Sequence, residues 1–264
     1  MTFFAFLFGL IFGSFANVIL LRLNTGESLV RRGSRCFSCG KPIRWFDLIP
    51  LLSFFALKGK CRDCKSRISW QYPLVEFGSG LLFLLVFLYI HPPFFISFGL
   101  FLYILCVTVA WFFLWIAALY DIRHMILPDV LLAVAFAFGV GGFALGCQFA
   151  NAGCSLESIA YQLGVAVLGF LFFFFLWLVS RGRWMGLGDA KFVIAIAPLL
   201  SPYMLLLALM LSFLFGTVIS VVLLAFQRAG FKTQVPFGPF LFAGAFVSFL
   251  AGSNILAWYI GLFS

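Results

Sequence analysis

Eight apolar runs separated by polar breaks set out the chain: residues 2–23, 74–90, 94–120, 129–147, 159–180, 190–200, 204–226 and 241–260. About 20 helical residues cross a bilayer core, and most of these runs are near that length. The pattern predicts an all-α polytopic membrane protein with about eight transmembrane helices. The run 190–200 is short and ends near Pro198. The first run carries its basic residues after it and not before, so it is read as a retained helix and not as a cleaved leader. The one sizeable polar segment, residues 24–72, divides the chain. Residues 1–23 are a first transmembrane helix, 24–72 a small cysteine-bearing loop domain, and 73–264 a transmembrane domain.

Composition supports the membrane class: 64% of the 264 residues are hydrophobic and 9% charged. The net charge of +9 could suggest nucleic acid, but its distribution argues otherwise. All 17 Lys and Arg fall in four places: 22–67, 123, 181–191 and 228–232. The breaks near 91–93, 148–158, 201–203 and the C-terminus hold none. Basic loops remain on the cytoplasmic side, so the expected topology has the N-terminus outside and the basic breaks inside. The expected partner of this charge is the bilayer, with no nucleic acid.

Residues 24–72 hold two Cys-x-x-Cys pairs, Cys36 with Cys39 and Cys61 with Cys64, 21 residues apart. Such spacing can present four thiolates to Zn²⁺. Disulfides are disfavoured in a reducing cytosol. Four thiolates close the coordination sphere, so the metal is expected to be structural, and it would stabilise a domain with a small core. Cys106, Cys147 and Cys154 lack partner spacing and read as packing residues.

Acids are scarce, so their positions matter. Asp121 is expected at the end of an inbound span and Asp189 at the start of an outbound one. Both would then lie at one membrane face. Two nearby carboxylates share one proton readily; the acid can polarise a carbonyl while the base deprotonates water. Gly186 and Gly188, in Gly186-Leu187-Gly188-Asp189, are expected to allow a sharp turn and the close approach of an extended substrate. Lys191 belongs to the same loop. Glu76 and Asp129 each fall in the first turn of a predicted helix. There they either complement the helix dipole or contact substrate.

These blocks, together with Gly13–Val18, Ile49–Phe54, Tyr72–Glu76, Leu127-Pro128-Asp129 and Pro236-Phe237-Gly238-Pro239, resemble the type IV prepilin peptidases, GxGD aspartic proteases of bacterial membranes. The resemblance runs along most of the chain. It implies cleavage of a basic prepilin or pseudopilin leader after a Gly at the cytoplasmic face of the inner membrane. It makes Asp121 and Asp189 the catalytic pair and the four cysteines the metal set. It further implies N-methylation of the new N-terminus from S-adenosylmethionine. The other class of reading is a non-enzymatic scaffold for pilus or secretion assembly acting through the cysteine loop, with the aspartates as mere helix caps. A transporter is disfavoured, because its acids belong near mid-span.

Overall fold

The structure is a computed structural model. It describes the whole chain except residues 29–32, 91–96, 150–154, 227–234 and 263–264. The expected outer turn at 91–93 and Cys154 therefore lie outside the described residues.

Nine α-helices are described: α1 Thr2–Arg22, α2 Leu52–Ala56, α3 Gln71–Ile90, α4 Phe98–His124, α5 Asp129–Phe149, α6 Leu156–Ser180, α7 Leu187–Ile196, α8 Pro202–Ala225 and α9 Gly238–Gly261. Seven of them, all but α2 and α7, are long and apolar enough to cross a membrane. The chain divides into two compact units, Met1–His91 and Pro92–Ser264. The sequence division grouped α3 with the later spans; here it is in the same unit as α1, with residues 24–70 inserted between the two helices.

In the first unit α1 and α3 pack backbone to backbone. A methyl group at Gly13 would stand 2.6 Å from the Glu76 Cα, so only glycine allows this approach. Small residues at such interfaces bring membrane helices together. Asn17 donates from its side chain to the Tyr72 carbonyl at 3.2 Å, tying the lower ends of the pair.

In the second unit α7 is the exception to the spanning pattern. Ten residues rise only about 15 Å, half a bilayer core. It is extended by a 3₁₀ turn, Ala197–Leu199. Ala190, Phe192, Val193, Ala195 and Ile196 are all buried, and α7 packs against α4, α5, α6 and α9. Beyond Lys191 the helix is wholly apolar, as suits an interior position. The end of such a helix carries carbonyls with no helical partner, and no water reaches them in an apolar core. The buried Gln162 of α6 solves this: its side-chain amide donates to the carbonyls of Ala197 and Leu200.

Aromatic packing fastens α4 to α9. Trp111 is fully buried, with the rings of Phe246 and Phe249 centred 5.0 and 5.1 Å away. Trp115 meets Phe242 at 5.3 Å. One expectation is corrected at the far end of α5: Cys147 is disulfide-bonded and is not a simple packing thiol.

Gln162→Leu removes the donor while keeping the volume. It should lower stability by roughly 1–3 kcal/mol, chiefly through the Leu200 carbonyl left without a donor. Equilibrium unfolding in mixed micelles measures this, with Gln162→Glu expected to recover only part of the loss because a buried, protonated carboxyl has one donor where the amide has two.

Candidate active site and metal centre

The sequence expects Asp121 at the end of a helix. Instead α4 continues through Asp121-Ile122-Arg123-His124 and stops at Met125, whose left-handed φ of 53° closes the last turn. Asp121 therefore points from a continuous helix and is only 6% exposed. The chain then passes through Leu127 to Pro128, whose carbonyl accepts from Leu131 as α5 begins.

The partner of Asp121 is the first residue of α9. The Gly238 N–H donates to Asp121 Oδ2 at 3.0 Å. The first N–H groups of a helix lack intrahelical acceptors, and that end carries partial positive charge. Pro236 and Pro239 flank this donor; Pro239 adds no competing N–H. A methyl group on residue 238 would lie 2.8 Å from Asp121 Oδ2 and 3.1 Å from Leu127 Cδ2, so the glycine is what permits the contact.

Asp189 repeats the arrangement on its own helix. It lies in the first turn of α7, and its Oδ2 accepts from the Gly186 N–H at 3.1 Å. In return its own N–H donates to the Gly186 carbonyl at 3.2 Å. It too is 6% exposed. Leu127 lies against both Gly188, which precedes Asp189, and Gly238, which donates to Asp121. Two acids from separate helices thus converge, each with one oxygen held by a backbone donor at a helix N-terminus.

The glycines work differently from the sequence expectation. Gly186 has φ −79°, which any residue adopts, and Gly188 is already helical. The space that Gly188 leaves is taken by this chain's own Leu127: a methyl group there would meet Leu127 Cβ at 2.9 Å. Leu127 therefore wedges between Gly188 and Gly238 and sets the spacing of the two helix starts. Sequence reading named neither Leu127 nor Gly238 as a site residue, although both stand in blocks that carried the resemblance.

Lys191 and Asp129 pair with each other: Nζ lies 2.7 and 2.8 Å from the two carboxylate oxygens. They are 41% and 69% exposed at the side chain, so the pair is worth little stability, but it joins the starts of α5 and α7. His124 stacks on Tyr120, ring centres 4.2 Å apart. An apolar cleft of about 280 Å³ opens between α4 and α9, lined by Trp115, Ala118, Ile122, Pro239, Phe242 and others. Ala118 and Ile122 flank Asp121 along α4, and Pro239 follows its donor.

In the first unit Glu76 is not in a first turn, because α3 begins five residues earlier at Gln71. It is buried, and its Oε2 accepts from the Leu51 N–H at 2.8 Å. Leu51 has φ 60° and precedes α2, so the Glu76 carboxylate pins a strained turn of the loop domain to α3.

The four cysteines converge. Their sulfur atoms all lie within 4.8 Å of one another, with Cys36 and Cys64 at 3.8 Å. Zn–S bonds of about 2.3 Å place sulfurs about 3.8 Å apart across a tetrahedron, so this set can hold a metal ion. Both knuckles share one hydrogen-bond pattern: Cys36 N–H to the Lys41 carbonyl at 2.9 Å and Cys61 N–H to the Ser66 carbonyl at 2.8 Å. Backbone N–H groups of Cys39 and then Ser38 hold the Cys36 thiol down to about 6. At Cys39 the Lys41 N–H acts downward too. Desolvation and the neighbouring Cys36 and Cys64 sulfurs outweigh it and push that thiol up to about 11. A bound cation removes this competition among the sulfurs.

The fold and these two centres define a multi-pass membrane protein with a paired-aspartate site and a tetracysteine loop. Comparison with known proteins places it further. Residues 7–90 match the bacterial peptidase A24 N-terminal domain and residues 107–221 the type IV leader peptidase family. A prepilin leader peptidase/N-methyltransferase of Stutzerimonas stutzeri is 32% identical over 97% of this chain and 92% of its own length. One of Bacillus subtilis is 31% identical over 97% and 96%. One of Myxococcus xanthus is 34% identical over 88% of this chain and 66% of its own length. The chain belongs to the type IV leader peptidase family. No solved structure matches it significantly.

Gly238→Ala should push the Asp121 carboxylate off its donor and lower the rate of any reaction run by the pair by at least tenfold. Gly164→Ala, where an added methyl group meets nothing within 4 Å, should leave the rate unchanged. Initial rates of the two purified variants, at matched folded protein, make the comparison.

Proposed function

We propose that the chain is a bifunctional membrane enzyme that cleaves the basic leader of type IV prepilins or pseudopilins after a Gly and then N-methylates the new N-terminal residue. Asp121 and Asp189 are the catalytic pair. One carboxylate, ionised, takes a proton from water as the water oxygen adds to the scissile carbonyl carbon. The other, protonated, gives its proton to the carbonyl oxygen. Collapse of the tetrahedral intermediate breaks the C–N bond, and the departing amine takes up a proton. The observation that carries this reading is the meeting of two buried aspartates from separate helices, each fixed by a backbone donor. Burial and backbone donors stand where positioned catalytic carboxylates require them.

The reaction face is cytoplasmic in this reading. Arg123, Arg181 and Arg183 flank the pair in sequence, and basic loops stay inside. The N-terminus is then outside and the protein resides in the inner membrane. Gly186, Gly188 and Lys191 support the site through the start of α7, with Asp129 as the ion-pair partner of Lys191. Glu76 is a structural anchor of the loop domain in preference to a substrate contact. Cys36, Cys39, Cys61 and Cys64 hold a structural Zn²⁺, whose closed sphere leaves no position for a catalytic water. S-adenosylmethionine supplies the methyl group.

Asp121→Asn and Asp189→Asn should each lower leader cleavage by about a thousandfold while the protein remains folded and membrane-inserted. Cleavage of a prepilin by purified protein, with a labelled methyl donor, scores the two activities separately. Normal cleavage by either variant overturns the paired-acid mechanism and returns the aspartates to the role of helix caps in a scaffold. Stripping zinc with a strong chelator should unfold residues 24–72 to proteolysis and abolish label transfer.

A further inference from the structure

The loop domain carries an excess of cations that neither catalysis nor the metal centre uses. Its three acids are each committed: Glu27 to Arg35 at 2.9 Å, Asp47 to Arg62 at 2.7 Å and Asp63 to Lys41 at 3.3 Å. Lys58, Lys60 and Arg67 have no carboxylate partner among the described residues. All three line one cleft of about 520 Å³, with Phe54, Phe55, Ile68 and Trp70.

The backbone forces two of these charges together. Lys60 and Arg67 face each other across an antiparallel bridge, fixed next to it by the Ile68 N–H donating to the Gly59 carbonyl at 2.8 Å. Like charges directly opposite are destabilising. The first knuckle makes the same bridge with Arg35 and Pro42, where the single cation is neutralised by Glu27. The second knuckle thus holds two opposed cations and lacks the acid that would balance them. Lys58 adds a third from a turn with φ 52°.

The apolar part of the cleft points to where the counter-charge comes from. Trp70 is 62% exposed and directly precedes α3, so it stands where a membrane span meets the headgroups. Phe55 of α2, which lines the same cleft, is 60% exposed. Exposed Trp with Lys and Arg at a span end is the pattern of an interfacial anchor. A free phosphate would satisfy the cations and leave Phe55 and Trp70 in water. We infer that this cleft binds an anionic phospholipid: Lys58, Lys60 and Arg67 surround the headgroup phosphate, and Trp70 and Phe55 lie along the first carbons of the acyl chains. The site anchors the metal-binding loop to the bilayer surface, independently of what the enzyme cleaves.

The test uses the zinc-loaded full chain in neutral detergent, titrated with phosphatidylglycerol, phosphatidylcholine or inorganic phosphate and read by native mass spectrometry. Wild type should bind phosphatidylglycerol well above the other two. Lys60→Gln/Arg67→Gln should bind it about thirty-fold more weakly and Lys58→Gln about fivefold more weakly, from the usual contribution of each basic residue near an anionic headgroup. Arg44→Gln, an exposed cation outside the cleft, should change binding by less than twofold. Because the double variant removes a repulsion, it should keep its zinc and melt no lower than wild type; the single variant carries the test if it does not. Equal phosphatidylglycerol binding by wild type and cleft variants, an equal loss in Arg44→Gln, or inorganic phosphate binding as tightly as the lipid would each overturn the assignment.

Discussion

Two backbone N–H groups, at Gly238 and Gly186, hold the buried carboxylates of Asp121 and Asp189 in place. A carboxylate moved out of water loses several kcal/mol of hydration. Helix N-termini offset that loss, because their first N–H groups have no other acceptor and their dipoles favour negative charge. The fold brings one such terminus to each aspartate. Asp121 is met by α9 from the far end of the unit, and Asp189 by the start of its own helix. Leu127 then sets the gap, since it fills the space that Gly188 and Gly238 leave open. Three sequence blocks, Leu127-Pro128-Asp129, Gly186–Asp189 and Pro236–Pro239, are one structural object.

That object explains why α7 is short. A full-length span would carry Asp189 on a helix whose other end lay in the opposite headgroups. A ten-residue helix ends instead within the unit, where Ala197 and Leu200 are buried. Gln162 donates to the carbonyls of Ala197 and Leu200, just past the end of α7. The buried packing of Phe192, Val193 and Ile196 then makes α7 a wedge fixed on all sides, suited to a side chain that must not drift.

Much of this was legible beforehand, for physical reasons. Hydropathy marks lipid-facing helices strongly, so the ends of α1, α6 and α8 fall within three residues of the apolar runs. The cysteine spacing rests on a rule as strong, and the four sulfurs do converge. Other features leave no local trace. The helix through Asp121 runs on because Ile122, Arg123 and His124 continue it readily, and hydropathy ends a span at the first charge. The pairing of Lys191 with Asp129, and the seat of Glu76 under Leu51, are tertiary contacts between distant residues. Gln162 had a signal that went unread: a lone amide in an apolar run needs a partner. The space at Gly188 is filled by Leu127, which sequence cannot show, since it reveals that a side chain is missing and not what occupies the space.

The central claim is that Asp121 and Asp189 stand side by side in the resting protein. The direct measurement replaces both by cysteine in the membrane-embedded chain and adds dibromobimane, which fluoresces strongly when it bridges two thiols. Mass spectrometry then locates the bridge. The account predicts a 121–189 crosslink in the absence of substrate, at a rate far above that of a control pair placing the second cysteine at Phe213. If positions 121 and 189 label singly and never bridge, the two acids do not meet, and the paired-aspartate site does not exist.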